Sequence, residues 1–297
     1  MTIVAIGSSI IFLLLIFPLP GSTQFLEADC GVSSSSKYST RIVNGQIADS
    51  SSSPWMAFLH STRNEFICGG TLISRKLVLT SAHCLIPKVQ IIVRLGEYNR
   101  RETKRPREEY QVQNTYKHRS YNPASHINDI AILLLVRSVV YKANIKPICI
   151  LWDTKWRPVT DKIQVLTGTG WGTTESKHDT DELRTLDIRR QLPKACGFAS
   201  ISKDQFCAGN WGSNLCIGDT GGPVGAIVKC HNTYRFVQIG IFITNRKCQR
   251  PSLYTDVMSH IDFIRRLHSQ HNGNDKSLTK PDNELDLNWN FTIPVPW

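Results

Sequence analysis

Between residues 42 and about 270 the chain is a succession of short runs rich in β-branched and aromatic side chains, split by Gly, Pro and Asn. Trp55 to Leu59, Gly70 to Ile73, Leu77 to Thr80, Val89 to Leu95, Ile130 to Val136, Lys162 to Gly168, Gly225 to Val228 and Arg235 to Ile243 are each of strand length. Many short strands at such spacing predict an all-β sandwich or barrel. One helix is predicted near the end, where Ile261, Phe263, Ile264 and Leu267 fall at helical spacing. Arg265, Arg266 and His268 fall in its later turns, the end of a helix that favours cations.

The two termini depart from this pattern. Ile10 to Phe17 is an uninterrupted apolar run followed by Pro18, Pro20, Gly21 and Ser22. Residues 1–22 therefore read as a signal peptide cut near Gly21 to Gln24, which predicts a secreted, extracellular protein. A membrane anchor is the alternative, but a span needs about 20 apolar residues and prolines interrupt this run. No other segment has the length to cross a bilayer. A short Ser-rich linker follows, with Cys30 at its head and Ser33 to Ser36 within it. At the other end, residues 271–297 read as a flexible tail ending in the apolar patch Ile293-Pro294-Val295-Pro296-Trp297. The tail holds the one Asn-x-Ser/Thr sequon, at Asn290, a glycosylation candidate in a secreted chain.

Composition narrows the class. Apolar residues make up 41% and charged ones 20% of 297 residues, an ordinary globular balance that can bury a sizeable core. A net charge of +11 favours acidic partners such as sulfated glycans or anionic lipid, or else marks a solvated basic face. Nothing in the pattern supports nucleic-acid recognition. Nine cysteines in a secreted chain predict a disulfide framework with one thiol left over. With no Cys-x-x-Cys pair at matching His spacing, neither a metal site nor a cofactor is expected.

The chemistry concentrates in three segments: Thr80-Ser81-Ala82-His83-Cys84, Asn128-Asp129-Ile130-Ala131-Ile132-Leu133, and Leu215-Cys216-Ile217-Gly218-Asp219-Thr220-Gly221-Gly222-Pro223. In this order they resemble the triad segments of the chymotrypsin/trypsin-like serine proteases. Supporting segments match as well: Pro54-Trp55, Cys68-Gly69-Gly70-Thr71-Leu72-Ile73, Gly170-Trp171-Gly172, Cys207-Ala208-Gly209 and Tyr254-Thr255-Asp256-Val257. The resemblance covers Ile42 to about Gln270. It implies two six-stranded antiparallel barrels, about 42–150 and 151–258, with the site between them. It also implies that His83 is the general base and that Asp129 orients it.

The same resemblance pairs Cys30 with Cys149, Cys68 with Cys84, Cys196 with Cys207 and Cys216 with Cys248. Cys230 is left over, either for an intermolecular bond or as an inert buried thiol. Residues 23–41 become a light chain, cut after Arg41 by an upstream trypsin-like protease. The freed Ile42 ammonium would pair with Asp219, and the backbone N–H groups of Gly218 and Thr220 would form the oxyanion hole. Asn214 stands at the base of the substrate pocket, where an aspartate would select Arg or Lys. Ser252 and the wall Ile243-Thr244-Asn245-Arg246-Lys247 complete that pocket, and the wall lacks the family's Ser-Trp-Gly. Arg100, Arg101, Lys104, Arg105, Arg107, Lys117 and Arg119 make the place of the family's calcium loop basic, which opposes calcium despite Glu97, Glu102, Glu108 and Glu109.

Thr220 stands where the nucleophilic serine belongs. Its extra methyl restricts χ1, and aiming Oγ1 at His83 would drive that methyl against a neighbour. A displacement of about 1 Å can cost on the order of 10²-fold in rate. The reading is a secreted, cleavage-activatable protease homologue, impaired in catalysis, that acts as a regulatory or binding partner in an extracellular immune or clotting-type cascade. An active endopeptidase using Thr220 with a non-trypsin pocket is one alternative, and a polyanion-binding surface protein is the other.

Overall fold

The computed structural model describes residues 24–33, 46–48, 52–102, 107–172, 181–216, 218–230, 233–243 and 248–272. The signal peptide, Arg41, Ile42, Thr244, Asn245, Arg246 and Asn290 lie outside the described residues.

Thirteen strands carry the fold: β1 (Gln46–Ile47), β2 (Met56–Ser61), β3 (Phe66–Leu72), β4 (Leu77–Thr80), β5 (Ile91–Leu95), β6 (Glu108–Lys117), β7 (Ala131–Leu135), β8 (Val165–Gly170), β9 (Arg184–Gln191), β10 (Gln205–Ala208), β11 (Pro223–Cys230), β12 (Thr233–Phe242) and β13 (Ser252–Asp256). β2-β3-β4-β7-β6-β5 close into one antiparallel barrel. β9-β10-β13-β12-β11-β8 close into a second through the β8–β9 pairing, and β1 adds to the outside of β9. This is the all-β, two-barrel architecture expected from the sequence, followed by a helix over Ile261–Asn272.

The apolar runs do not cover β1, β6, β9, β10 or β13, and the longest of these are polar. β6 (EEYQVQNTYK) and β9 (RTLDIRRQ) bury only alternate or scattered side chains, so their period-two signal is weak. β7 has the opposite character: all five residues are buried because its two faces serve two cores. Leu133 and Leu135 point into the first barrel, with Leu59, Leu72, Val78 and Val93. Ile132 and Leu134 face the other way, into the core between the barrels, with Trp55, Ile264 and Leu267. Trp55 stacks on Phe236 of β12 at 5.0 Å, and Phe58 meets Trp171 edge-on at 5.6 Å. Each large aromatic pair adds about 0.5–1.5 kcal/mol beyond its buried area. The second barrel has its own interior around Leu166, Ile188, Val224, Val237 and Phe242.

The four disulfides are Cys30–Cys149, Cys68–Cys84, Cys196–Cys207 and Cys216–Cys248. Cys230 is free and buried at the end of β11, and burial pushes its thiol up to about 11. Its nucleophilic thiolate is therefore scarce at neutral pH. No helix among the described residues is long and apolar enough to cross a membrane.

Candidate active site

His83 sits in a 3-10 turn, Ala82–Cys84, at the end of β4, and the Cys68–Cys84 bond ties that turn to β3. Asp129 lies two residues before β7 and is fully buried. Its carboxylate accepts the His83 backbone N–H at 2.9 Å through Oδ1 and faces His83 Nδ1 at 2.6 Å through Oδ2. Burial works against ionisation of this carboxyl. The nearby His126 and the two hydrogen bonds to His83 outweigh it and hold Asp129 below the ordinary aspartate range. An ionised, immobile acceptor on Nδ1 leaves Nε2 of His83 as the basic nitrogen.

His126 is the residue the sequence reading missed. Its Nδ1 lies 3.4 Å from Asp129 Oδ2, and its ring meets the His83 ring edge-on at 5.6 Å. Both His126 (φ 54°) and Asn128 (φ 56°) adopt the left-handed conformation, uncommon for residues with a side chain. Neighbours hold them there: Gln205 donates to the Ser125 and His126 carbonyls, and Asn128 N–H donates to Asp204 at 2.6 Å. Burial opposes ionisation of Asp204, but His260 at 3.7 Å and the Asn128 N–H bond push its pKa down to about 2. The second barrel thus anchors the loop that carries Asp129. Thr255 of β13 adds a bond to the Asp129 carbonyl at 3.0 Å. A lone His in a polar loop carries no sequence signal for this arrangement.

The nucleophile loop comes from the second barrel and docks against the first. The Thr220 carbonyl accepts the Gly69 N–H at 2.7 Å, and Gly221 N–H donates to Phe242 at 2.8 Å. Gly221 has φ 79°, and a Cβ there would collide with the Gly69 carbonyl and the Thr80 hydroxyl, so the turn requires glycine. Thr220 is half-buried. Among the described residues its hydroxyl makes no hydrogen bond, to His83 or to any other group. The backbone N–H groups of Gly218 and Thr220 likewise donate to no backbone carbonyl among the described residues.

Asp219 is buried beneath this loop. Cys216 N–H and Gly172 N–H donate to its carboxylate at 2.8 and 2.7 Å, and a Cβ at Gly170 or Gly172 would strike the carboxylate oxygens. Burial pushes its pKa up to about 6, against the pull of these two bonds and the Arg100 charge. At the expected pocket base, Asn214 turns into its own loop: Asn210 N–H donates to Oδ1 at 2.8 Å and Nδ2 donates to the Asn210 carbonyl. Ser252 is buried at the start of β13, paired with Ala208.

At the basic loop the cation that counts is Arg94, whose place inside an apolar run hid it from the sequence reading. Buried, it bonds Glu97 at 3.2 Å, Glu109 at 2.8 Å and Asn64 at 2.6 Å. The two carboxylates are therefore neutralised by a guanidinium from β5. Of the exposed basic residues, Arg101 pairs with Asp181 at 2.8 Å, and Lys104 and Arg105 lie outside the described residues.

The family model described as Trypsin matches residues 42–264. Serine protease grass of Drosophila melanogaster is 31% identical over 80% of this chain and 69% of its own length. Phenoloxidase-activating factor 3 of Holotrichia diomphalia is 30% identical, covering 81% of this chain and 75% of the relative. The clotting factor G beta subunit of Tachypleus tridentatus is also 30% identical, over 77% of this chain and 80% of its own. The crystal structure of the Drosophila Grass clip serine protease of the Toll pathway aligns with a TM-score of 0.69 at 30% identity, covering 81% of this chain and 75% of the other.

Proposed function

The chain belongs to the trypsin family of serine proteases, and we propose that it is a cleavage-activated member with impaired catalysis, acting as a regulatory or binding partner in an extracellular proteolytic cascade. The observation that carries this reading is the split between base and nucleophile. His83 and Asp129 are coupled at 2.6 Å, whereas the hydroxyl of Thr220 is not hydrogen-bonded to the base. A β-branched side chain is restricted at χ1, which limits how far its hydroxyl can correct the aim. A displacement of about 1 Å can cost on the order of 10²-fold in rate, so a misaimed hydroxyl suffices to impair the site.

The placement in a cascade rests on likeness. The relatives' names tie those proteins to phenoloxidase activation, to clotting and to a Toll pathway. The sequence supplies Arg41-Ile42 as the cut site for an upstream trypsin-like protease, and the apolar leader points to secretion. Asp219, buried and held by two backbone N–H groups, is what a freed Ile42 terminus would pair with. The partner is then a protein recognised by the ordered surface, not a substrate turned over. The polyanion reading gains nothing from the geometry, since Arg101 already pairs with Asp181.

The test is to cleave the purified zymogen after Arg41 and expose it to a fluorophosphonate probe beside its Thr220→Ser variant. Labelling of the variant alone is expected, with a gain of at least ~10²-fold. Equal labelling of both would overturn the impaired-catalysis reading in favour of an endopeptidase that uses threonine.

A further inference from the structure

Two imidazole nitrogens converge on one carboxylate oxygen at the first-barrel wall. Nδ1 of His83 lies 2.6 Å from Asp129 Oδ2, and Nδ1 of His126 lies 3.4 Å from the same atom. One donor atom from each of the three residues falls within 4.8 Å of the others. Orientation of the base accounts for the His83 contact. It does not account for His126, whose buried Nδ1 meets no closer partner among the described residues and faces an oxygen already engaged. A buried polar atom in that state costs free energy unless something else uses it.

Two imidazoles and one carboxylate are the ligand set of an open zinc site, where three protein groups hold the ion and a fourth position stays free. Zinc binds such ligands at about 2.0–2.2 Å, which spaces the ligand atoms of a tetrahedral site roughly 3.3–3.6 Å apart. The His126 contact already has this spacing. The His83 contact has to open by about 0.7–1.0 Å. The rings have room to adjust, being 24% and 33% exposed, whereas Asp129 is the fixed point. The His83 backbone N–H holds its Oδ1 at 2.9 Å, which leaves Oδ2 for an ion. Gln205 holds the His126 carbonyl at 2.9 Å, so the second ring is positioned from the other barrel. A hard cation fits poorly, since calcium takes about six to eight oxygen ligands and two of these three donors are nitrogen. The sequence expectation of no metal site rested on Cys-x-x-Cys spacing. Ligands from a turn after β4 and a loop before β7 carry no such spacing.

We propose that His83, His126 and Asp129 bind a zinc-type divalent cation that takes the base out of use. On binding, the proton of His83 moves from Nδ1 to Nε2, so the ring ligates the ion as a neutral imidazole. The nitrogen that would accept a proton from a nucleophile is then filled. His126 likewise ligates through Nδ1 and carries its proton on Nε2, with no change of oxidation state anywhere. The proposal rests on the first-barrel wall alone and not on the identity of residue 220.

Zinc titration of the purified full chain, stripped with a chelator and read against a chromogenic indicator, tests this. The parent is expected to bind one Zn²⁺ at this site, with Ca²⁺ failing to compete. Co²⁺ in its place is expected to give the visible absorption of a four-coordinate nitrogen–oxygen site. His126→Gln and His83→Gln, made separately, are each expected to weaken Zn²⁺ by more than the about 10–100-fold that loss of an outer-shell partner costs. His118→Gln, at the neighbouring imidazole pair His118–His260 (5.2 Å), is expected to leave the affinity unchanged. Melting in chelator checks the fold of each variant. Zn²⁺ is expected to raise the melting temperature of the parent and of His118→Gln, but not of the two ligand variants. In the cleaved Thr220→Ser chain, Zn²⁺ is expected to abolish fluorophosphonate labelling and chelator to restore it. A folded parent that binds no Zn²⁺ would overturn the proposal, as would equal affinity in the parent and both ligand variants. Affinity that follows His118, or Zn²⁺ that binds without suppressing labelling, would place the ion away from the base and overturn it too.

Discussion

The two walls of the cleft have been treated differently. On the first-barrel wall every group is engaged: His83 is fixed twice by Asp129, Asp129 is fully buried, and the loop behind it is tied down by Gln205, Asp204 and Thr255. On the second-barrel wall the glycine turn, the free backbone N–H groups and the buried Asp219 are present. The side chains that would meet a substrate there are altered. Among the described residues the Thr220 hydroxyl makes no hydrogen bond, and Asn214 is satisfied by its own loop. Orienting a base and switching a pocket depend on burial and backbone geometry, which also hold the fold together. Attack and pocket selection depend on single side chains at the cleft, which can change without disturbing the core.

The sharpest probe of this contrast is Asp129→Asn, made in both the Thr220 chain and its Thr220→Ser variant. An amide in place of the carboxylate presents a donor to His83 Nδ1 and enforces the wrong tautomer, which costs about 10⁴-fold in the family's template. Fluorophosphonate labelling of the Ser variant is expected to fall by about that factor. The parent's labelling is expected not to move, because its hydroxyl is not coupled to the base. A similar fall in both chains would mean that Thr220 already uses His83, and the contrast between the walls would collapse.

A smaller effect tests whether the second wall still switches. Asp219 has a pKa of about 6 against 3.8 for a free aspartate, because burial disfavours its charge. A raised pKa contributes stability that is complete below about pH 4 and lost as pH rises through about 6. The uncleaved chain should therefore hold the loop around Thr220 less firmly at pH 8 than at pH 5, by about 1.4 kcal/mol, since the rest of the effect is already lost between pH 4 and pH 5. Cleavage after Arg41 should abolish the difference, since an ammonium beside the carboxylate favours its charged form. Hydrogen exchange of residues 215–223 at the two pH values, before and after cleavage, reads this directly. An uncleaved loop that is equally protected at both would show that Asp219 is no longer the switch.

The sequence made the strands with apolar runs legible, along with the terminal helix, because burial imposes a period that residue types reveal. It missed β6 and β9, whose exposed polar faces dilute that period, the short β1, β10 and β13, and the interior role of Arg94, masked by the apolar residues around it. The candidate triad was legible because each member sits in a segment whose neighbours are constrained by disulfides, glycine turns or strand ends. His126 was not, since its place depends on a left-handed loop held by residues far away in the chain, Asp204 and Gln205.

His126 also supplies the finest test of the first wall. Its long contact to Asp129, buried at both atoms and 3.4 Å apart, is worth about 0.5–1.5 kcal/mol at most. Because that donor favours the ionised carboxylate, removing it raises the pKa of Asp129. In the Thr220→Ser background, His126→Leu is therefore expected to move the acid limb of the labelling profile to higher pH. The rate on that limb should fall by about 2–10-fold, with the plateau unchanged. His126→Gln, which keeps a donor without a titrating ring, should restore the limb. A Leu variant whose profile overlays its parent would assign the carboxylate to His83 alone, leaving His126 as packing against the base.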